Sequence, residues 1–301
     1  MLHWPHMSRV VASPQSPPDP TAAAVTAWTA VREAELRSRI KIESLARLED
    51  VKAAADLWHR VWERDGEPPV TSDMLRALSH ADNYLSGAFV DGRLVGALLG
   101  FYGAEGSGFH LHSHILGVES PTRTRGVGFG LKQHQRAWAL DRGITDIKWT
   151  FDPLVRANGY FNISKLGAVG IGYLEDFYGA MPDSINSGDQ SDRVYADWDL
   201  LSSRVAKAAG GNHDELDVEE ALRDGAVVAL SVGDHGRPVP GAEGDGYILC
   251  QTPVDIVDLR RQDPKLATSW RPALREVMGG AFGRGLRLQG MNRAGWYMLS
   301  R

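Results

Sequence analysis

The sequence predicts an α/β chain built on a mixed sheet, and three observations predict it. Strand-like and helix-period segments alternate over residues 40–200. Two apolar runs flank Asp91-Gly92, a pair that hairpins favour. Three glycines at alternating positions, Gly126, Gly128 and Gly130, join a strand-like run to a helical one.

Taken in order, residues 1–39 read as a leader, partly flexible, with a helix of alanine and charged residues over 22–39. "IKIESL" alternates as a strand at 40–45, and Leu48, Val51, Ala55, Trp58 and Trp62 repeat at helix period. Thr71 or Ser72 caps a short helix, "DMLRALSHA". Strands are expected at 84–90, 93–102 and 108–118, and a helix at 128–142. "ITDIKWTFD" begins another strand, "PLVRANGYFNISKLG" is a helix closed by Gly167, and "AVGIGYLEDFYG" and "RVYADWDL" are strands. These elements make a core over 40–203. Residues 204–301 form a C-terminal α+β extension with strands at "AVVALSV", "GYILCQTP" and "GWYMLS" and a helix around 264–284.

Composition narrows the function. A net charge of -5 over 301 residues, with no long basic run, gives no reason to expect a nucleic-acid partner. No apolar run reaches the length of a membrane span, so no membrane partner is expected. A single cysteine, Cys250, excludes an internal disulfide framework and fits a cytoplasmic protein. It lies in "YILCQ" beside no obvious base and reads as core.

Glycine costs stability where it is not needed. "RGVGFG" therefore reads as an anion cradle: a turn aims backbone N–H groups at one point, and the helix adds its unpaired N–H groups and dipole. Arg123 and Arg125 stand at the rim. The spacing departs from the dinucleotide fingerprint, and "FGLKQH" lacks the Gly-Lys-Ser/Thr ending of a nucleoside-triphosphate loop.

Arg125-x-x-Gly128-x-Gly130, entered from "HILGV" and leaving into a helix, resembles the pyrophosphate loop of the GNAT superfamily of N-acyltransferases. Asn158 followed by Lys165-Leu166-Gly167 matches the family's later landmark, with Ala168 in place of its aromatic residue. "HSHILGV", "WTFDPL", "FNISKLGA", "FYG", "SDR" and "DPKLATSWR" resemble a subgroup that includes proposed N-succinyltransferases of amino acids.

The resemblance implies an acyl-CoA N-acyltransferase fold split between two parallel strands, 108–118 and 144–151. It implies acetyl-CoA or another acyl-CoA, succinyl-CoA included, as donor, and a small-molecule amine as acceptor, with no metal. Leu116, Gly117 and Val118 would bind the pantetheine arm, with an oxyanion near Gly117 and Val118. Arg123, Arg125, Gly126, Val127, Gly128, Phe129 and Gly130 would hold the pyrophosphate, and Asn158 would lie near the arm. The extension would complete the acceptor pocket or form a homodimer. A non-catalytic acyl-CoA-binding module and a protein acetyltransferase are the alternatives.

Acyl transfer needs a proton acceptor for the amine. His110, His112 and His114 alternate in one strand and should share a face. Either His112 or His114 is the expected base. A metal held by all three is disfavoured, because strand neighbours two apart lie roughly 6–7 Å from each other. Ile163 stands where the family carries a tyrosine as leaving-group acid, which leaves Tyr160, one turn earlier, as a candidate replacement. Asp152, at a strand end, is either a helix cap or a substrate-facing carboxylate. Arg193 would pair with a substrate carboxylate, or with Asp192 or Asp189. Arg271 and Arg275 carry the same ambiguity.

Overall fold

A computed structural model describes residues 19–62, 68–106, 108–120, 122, 126–179 and 189–301. The first helix, α1 (Pro20–Ser38), has proline at its first position, an Asp19 side-chain cap on the Thr21 N–H at 3.0 Å, and a left-handed Arg39 at its end. Its buried stripe is small (Ala24, Ala27, Ala30, Val31 and Ala34), so it packs closely on the helix that follows the glycine stretch. Most of the expected leader helix is thus part of the body. Residues 1–18 of that leader lie outside the described residues.

Strand β1 (Lys41–Ser44) leads to α2 (Leu48–Trp62) and α3 (Ser72–His80), which Thr71 caps at the Met74 N–H. Strands β2 (Tyr84–Val90) and β3 (Arg93–Glu105) form the expected hairpin. Asp91 and Gly92 both take positive φ, 49° and 77°, as its tight turn requires. Next come β4 (Gly108–Val118), α4 (Val127–Asp141) and β5 (Asp146–Phe151). Helix α5 (Arg156–Tyr160) runs into one π-helical turn, Phe161–Lys165, and β6 (Val169–Leu174) and β7 (Arg193–Asp199) follow.

The extension holds α6 (Ser203–Ala209), α7 (Val218–Arg223), β8 (Val227–Val232), β9 (Pro238–Pro240), β10 (Ile248–Gln251), α8 (Ile256–Gln262), α9 (Pro264–Gly283), β11 (Arg287–Met291) and β12 (Trp296–Ser300). All twelve strands make one mixed sheet, ordered β1-β2-β3-β4-β5-β7-β6-β11-β12-β10-β8-β9. The extension joins it at β11, where Leu288 pairs with Gly170. The fold class is that expected: α/β, with a mixed sheet, a split between two parallel strands and a C-terminal α+β part.

Parallel β4 and β5 pair only at Leu111–Ile147 and His112–Lys148. Beyond these, β4 continues on β3 through Leu116–Leu98 and Gly117–Ala97, while β5 continues on β7 through Thr150–Tyr195 and Phe151–Val194. The two strands therefore separate toward their C-terminal ends. A bulge in β4, where Ser113 faces Gly100 and Ile115 faces Leu99, leaves His114 outside the ladder at this point. One core lies between the sheet and α1, α4 and α9; a second lies under α2 and α3.

Candidate active site

The open end of the split faces the N-terminus of α4. Gly126 takes φ 85° just before the helix, and its carbonyl accepts the Gly130 N–H at 2.9 Å. The amides ahead of Gly130 belong to the first turn, which has no intrahelical acceptors. The three glycines differ in what they leave room for. A Cβ on Gly126 would come 2.8 Å from Ser38 Oγ. A Cβ on Gly130 would come 3.1 Å from Ile42 Cδ1 and 3.2 Å from Ile40 Cδ1, so Gly130 serves the packing of α4 on β1. A Cβ on Gly128 would meet nothing closer than Leu116 Cδ2 at 3.7 Å, Val118 Cγ2 at 3.8 Å and Phe161 Cζ at 3.9 Å. Those are ordinary contact distances, so a Cβ would fit there without strain, between residues from the two sides of the split. Val127 is fully buried, and Phe129 packs against the core. Arg123 and Arg125 lie outside the described residues.

On β4, Leu116 and Val118 turn toward α4. Gly117 turns to the other face, where a Cβ would be 2.4 Å from Trp58 Cδ1; only glycine admits Trp58 there. On that same face stand the histidines. His112 stacks on Phe101 with centroids 5.0 Å apart, and His114 lies 5.5 Å from Phe101 and 6.2 Å from His112. His110 is buried over Gly103. Burial above all, then His114, His110 and Lys132, pull the His112 pKa down to about 4. Burial also lowers His114, although it keeps an exposed edge. Both imidazoles are therefore neutral and able to accept a proton at neutral pH. Among the described residues, no group of three or more His, Cys, Asp or Glu side chains is placed to hold a metal ion.

Phe101, His112, Lys148 and Asp197 stand in register across β3, β4, β5 and β7. Lys148 is ion-paired with Glu105, and burial raises the Asp197 carboxyl. Further along, Thr150 Oγ1 is 3.2 Å from Tyr178 OH, and the Arg193 guanidinium lies 5.3 Å from the Tyr178 ring.

Several expected site residues are occupied by the extension. Asp152 is buried and accepts two hydrogen bonds from Arg271, at 2.8 and 2.9 Å, and one from the Leu154 N–H at 2.9 Å. Arg271 also reaches Asp189, which Arg260 shares at 2.7 Å. Arg275 holds Asp192 through Nε at 2.8 Å and Nη2 at 2.6 Å. Arg193 is buried and donates to the Asp192 carbonyl at 2.9 Å. Asp152 is thus the anchor of α9 on the end of β5.

Tyr160 does not reach toward β4. Its hydroxyl accepts from Arg293 Nε at 3.1 Å and meets His213 Nε2 at 2.9 Å and Glu215 Oε2 at 3.3 Å, all from the extension. Phe161, the next residue, is the one that reaches the β4–α4 side. Asn158 is exposed. Its Oδ1 accepts from Asn162 Nδ2 at 3.0 Å, and Asn162 Oδ1 accepts from Trp149 Nε1 at 3.2 Å, tying this helix to β5. Sequence reasoning missed Phe161, Phe101 and the buried Lys132, because each takes its place from long-range packing.

No protein-family model and no curated protein matches the sequence. Among solved structures the chain is similar to a putative acetyltransferase from Salmonella typhimurium with acetyl-CoA, at 13% identity and TM-score 0.44, covering 54% of this chain and 94% of that one. It is similar to a GNAT-family acetyltransferase from Streptococcus pneumoniae, at 16% and 0.43, covering 52% and 97%. It is also similar to an N-acetyltransferase from Staphylococcus aureus, at 16% and 0.43, covering 54% and 98%.

Proposed function

We propose that the chain is an acyl-CoA-dependent N-acyltransferase that moves an acetyl or succinyl group to the amine of a small molecule, amino acids included. The observation that carries this reading is the position of Gly128. It lies at the mouth of a split sheet and at a helix N-terminus, flanked by Leu116, Val118 and Phe161. Apolar side chains beside the first-turn N–H groups of a helix suit a long neutral arm that carries a pyrophosphate. Gly126, Val127, Gly128 and Phe129 supply the helix end, and Leu116 to Val118 line the arm. Arg123 and Arg125 complete the cradle in this proposal.

The amine approaches on the opposite face, beside Phe101, His112 and His114. His112, neutral at pH 7, takes a proton as nitrogen attacks the thioester carbonyl. Tyr178, exposed and with its ring 5.3 Å from the buried Arg193 guanidinium, is a candidate contact for the acceptor. The test is thiol release from acetyl-CoA and from succinyl-CoA across a panel of amino acids and simple amines. Acceptor-dependent release with either donor supports the reading, and none with any acceptor overturns it.

A further inference from the structure

Lys132 is the buried group that the reaction above does not use. It sits on α4 at 3% exposure. Its Nζ donates to Ser113 Oγ at 2.8 Å and to Gln135 Oε1 at 3.2 Å, and lies 3.7 Å from the centroid of Trp149. Ser113 and Trp149 are the first residues beyond the last pair of β4 and β5, His112–Lys148. The amine of Lys132 therefore bridges the two strands at the apex of the split, on the helix side, while His112 occupies the other face.

The surroundings favour an ammonium that gives its proton up readily. A carbonyl acceptor and an aromatic face stabilise the charged form. Burial opposes it and pulls the pKa well below lysine's ordinary value. The groups facing it are Ser113 from β4, Trp149 from β5 and Trp198 from β7, with Gln135 on its own helix, and its charge is felt by His112 across the sheet; among the described residues no carboxylate pairs with it. Ser113 Oγ accepts from Lys132 and has no other partner among the described residues, so its own proton is available.

On the opposite wall, among the described residues, Ile163 is apolar, Tyr160 is held by the extension, and Ser164 Oγ donates to the Met291 carbonyl at 2.6 Å. We propose that Lys132, acting through Ser113, protonates the thiol leaving group at the apex of the split. This rests on the acyltransferase reading. As the C–N bond forms and the C–S bond breaks, sulfur takes the Ser113 hydroxyl proton and Lys132 passes one to Ser113 Oγ. The proton lost by the amine goes to His112 and returns through water to Lys132, so amine and thioester give amide and thiol with no net proton.

The test is the pH dependence of kcat for the wild type, Ser113→Ala, Lys132→Met and Lys132→Arg, each checked for folding by circular dichroism and for CoA affinity by calorimetry. The wild-type rate should fall as pH rises through the Lys132 pKa. The folded variants should keep CoA affinity, lose about 10²-fold in kcat and lose that alkaline limb. Arginine keeps the charge and cannot release the proton, so it should not rescue. Ser113→Ala removes a single oxygen and keeps the test open where a lysine variant does not fold. Wild-type kcat with an unchanged alkaline limb in Ser113→Ala, or in a folded Lys132 variant, overturns the proposal. If the wild type itself releases no thiol, the acyltransferase reading fails first and takes this inference with it.

Discussion

Gly128→Leu separates a binding cradle from a structural turn. The added Cβ would make ordinary contact with Leu116, Val118 and Phe161 at 3.7, 3.8 and 3.9 Å, with no clash. The fold should tolerate it. Replacing a helical glycine gains about 0.5–1 kcal/mol, so Tm should hold or rise by roughly 1–4 °C. Binding should not tolerate it. A charge-assisted hydrogen bond to phosphate is worth about 1.5–3 kcal/mol. Displacing one or two should weaken CoA about 10²-fold, near 2.7 kcal/mol. Gly130→Ala is the control. Its Cβ would press on Ile40 and Ile42 at 3.2 and 3.1 Å, which overpacks by about 1–3 kcal/mol. It should lower Tm and keep CoA affinity in the folded fraction. Thermal melts and calorimetric titration on the same preparations read both effects. A folded Gly128→Leu protein that binds CoA like the wild type would refute the placement of the site.

His112→Ala should lower kcat at pH 7 by about 10²-fold with CoA affinity retained, and the wild-type acid limb should lie near pH 4 rather than near 6.5. A limb near 6.5 would contradict the assignment of His112 as base. His112 and His134 both have pKa values lowered to about 4, chiefly by burial, so the unfolded chain binds protons that the folded one does not. Stability should therefore fall as pH drops from about 6.5 toward 4, and a Tm that stays level over that range would argue against their burial. Asp152→Asn leaves Arg271 buried with Asp189 as its remaining partner and should cost about 3 kcal/mol, seen in urea unfolding; under about 1 kcal/mol would mean the pair does not anchor α9. Burial raises the Asp152 carboxyl, while Arg271, Arg193 and Arg260 together hold it below its ordinary value, so the pair's contribution is lost only as pH falls below about 4. Tyr160→Phe should cost about 1 kcal/mol through Arg293 and His213 and leave kcat unchanged; a large loss of kcat would restore it as an acid.

Local chemistry made much of this legible in the sequence. Asp91-Gly92 announced a hairpin because its turn needs two positive φ values, and β2 and β4 run over the residues that their apolar patterns marked. The glycine stretch was legible as a helix entrance, and its three glycines as a group; their separate duties were not. Gly130 exists for Ile40 and Ile42, and Gly117 for Trp58, contacts that no neighbouring residue signals. Helix α4 carries five polar residues in a row, Lys132, Gln133, His134, Gln135 and Arg136. All five are buried: Lys132 and Gln135 turn inward to the sheet, and α1, about a hundred residues earlier, packs along the helix. Asp152 could be read as a cap or a substrate ligand, and only the fold brings Arg271, 119 residues away, onto both its oxygens. Strand β11 escaped notice because Gly290 interrupts a short run, and its second partner, β6, lies more than a hundred residues earlier.

The most direct test of the central claim is calorimetric titration of the purified chain with CoA, acetyl-CoA and succinyl-CoA, beside Gly128→Leu. The split sheet and the glycine-led helix entrance predict saturable binding at one site per chain that Gly128→Leu weakens about 10²-fold. Absence of binding by all three would contradict the account and leave the stretch from Gly126 to Gly130 as a packing feature of α4.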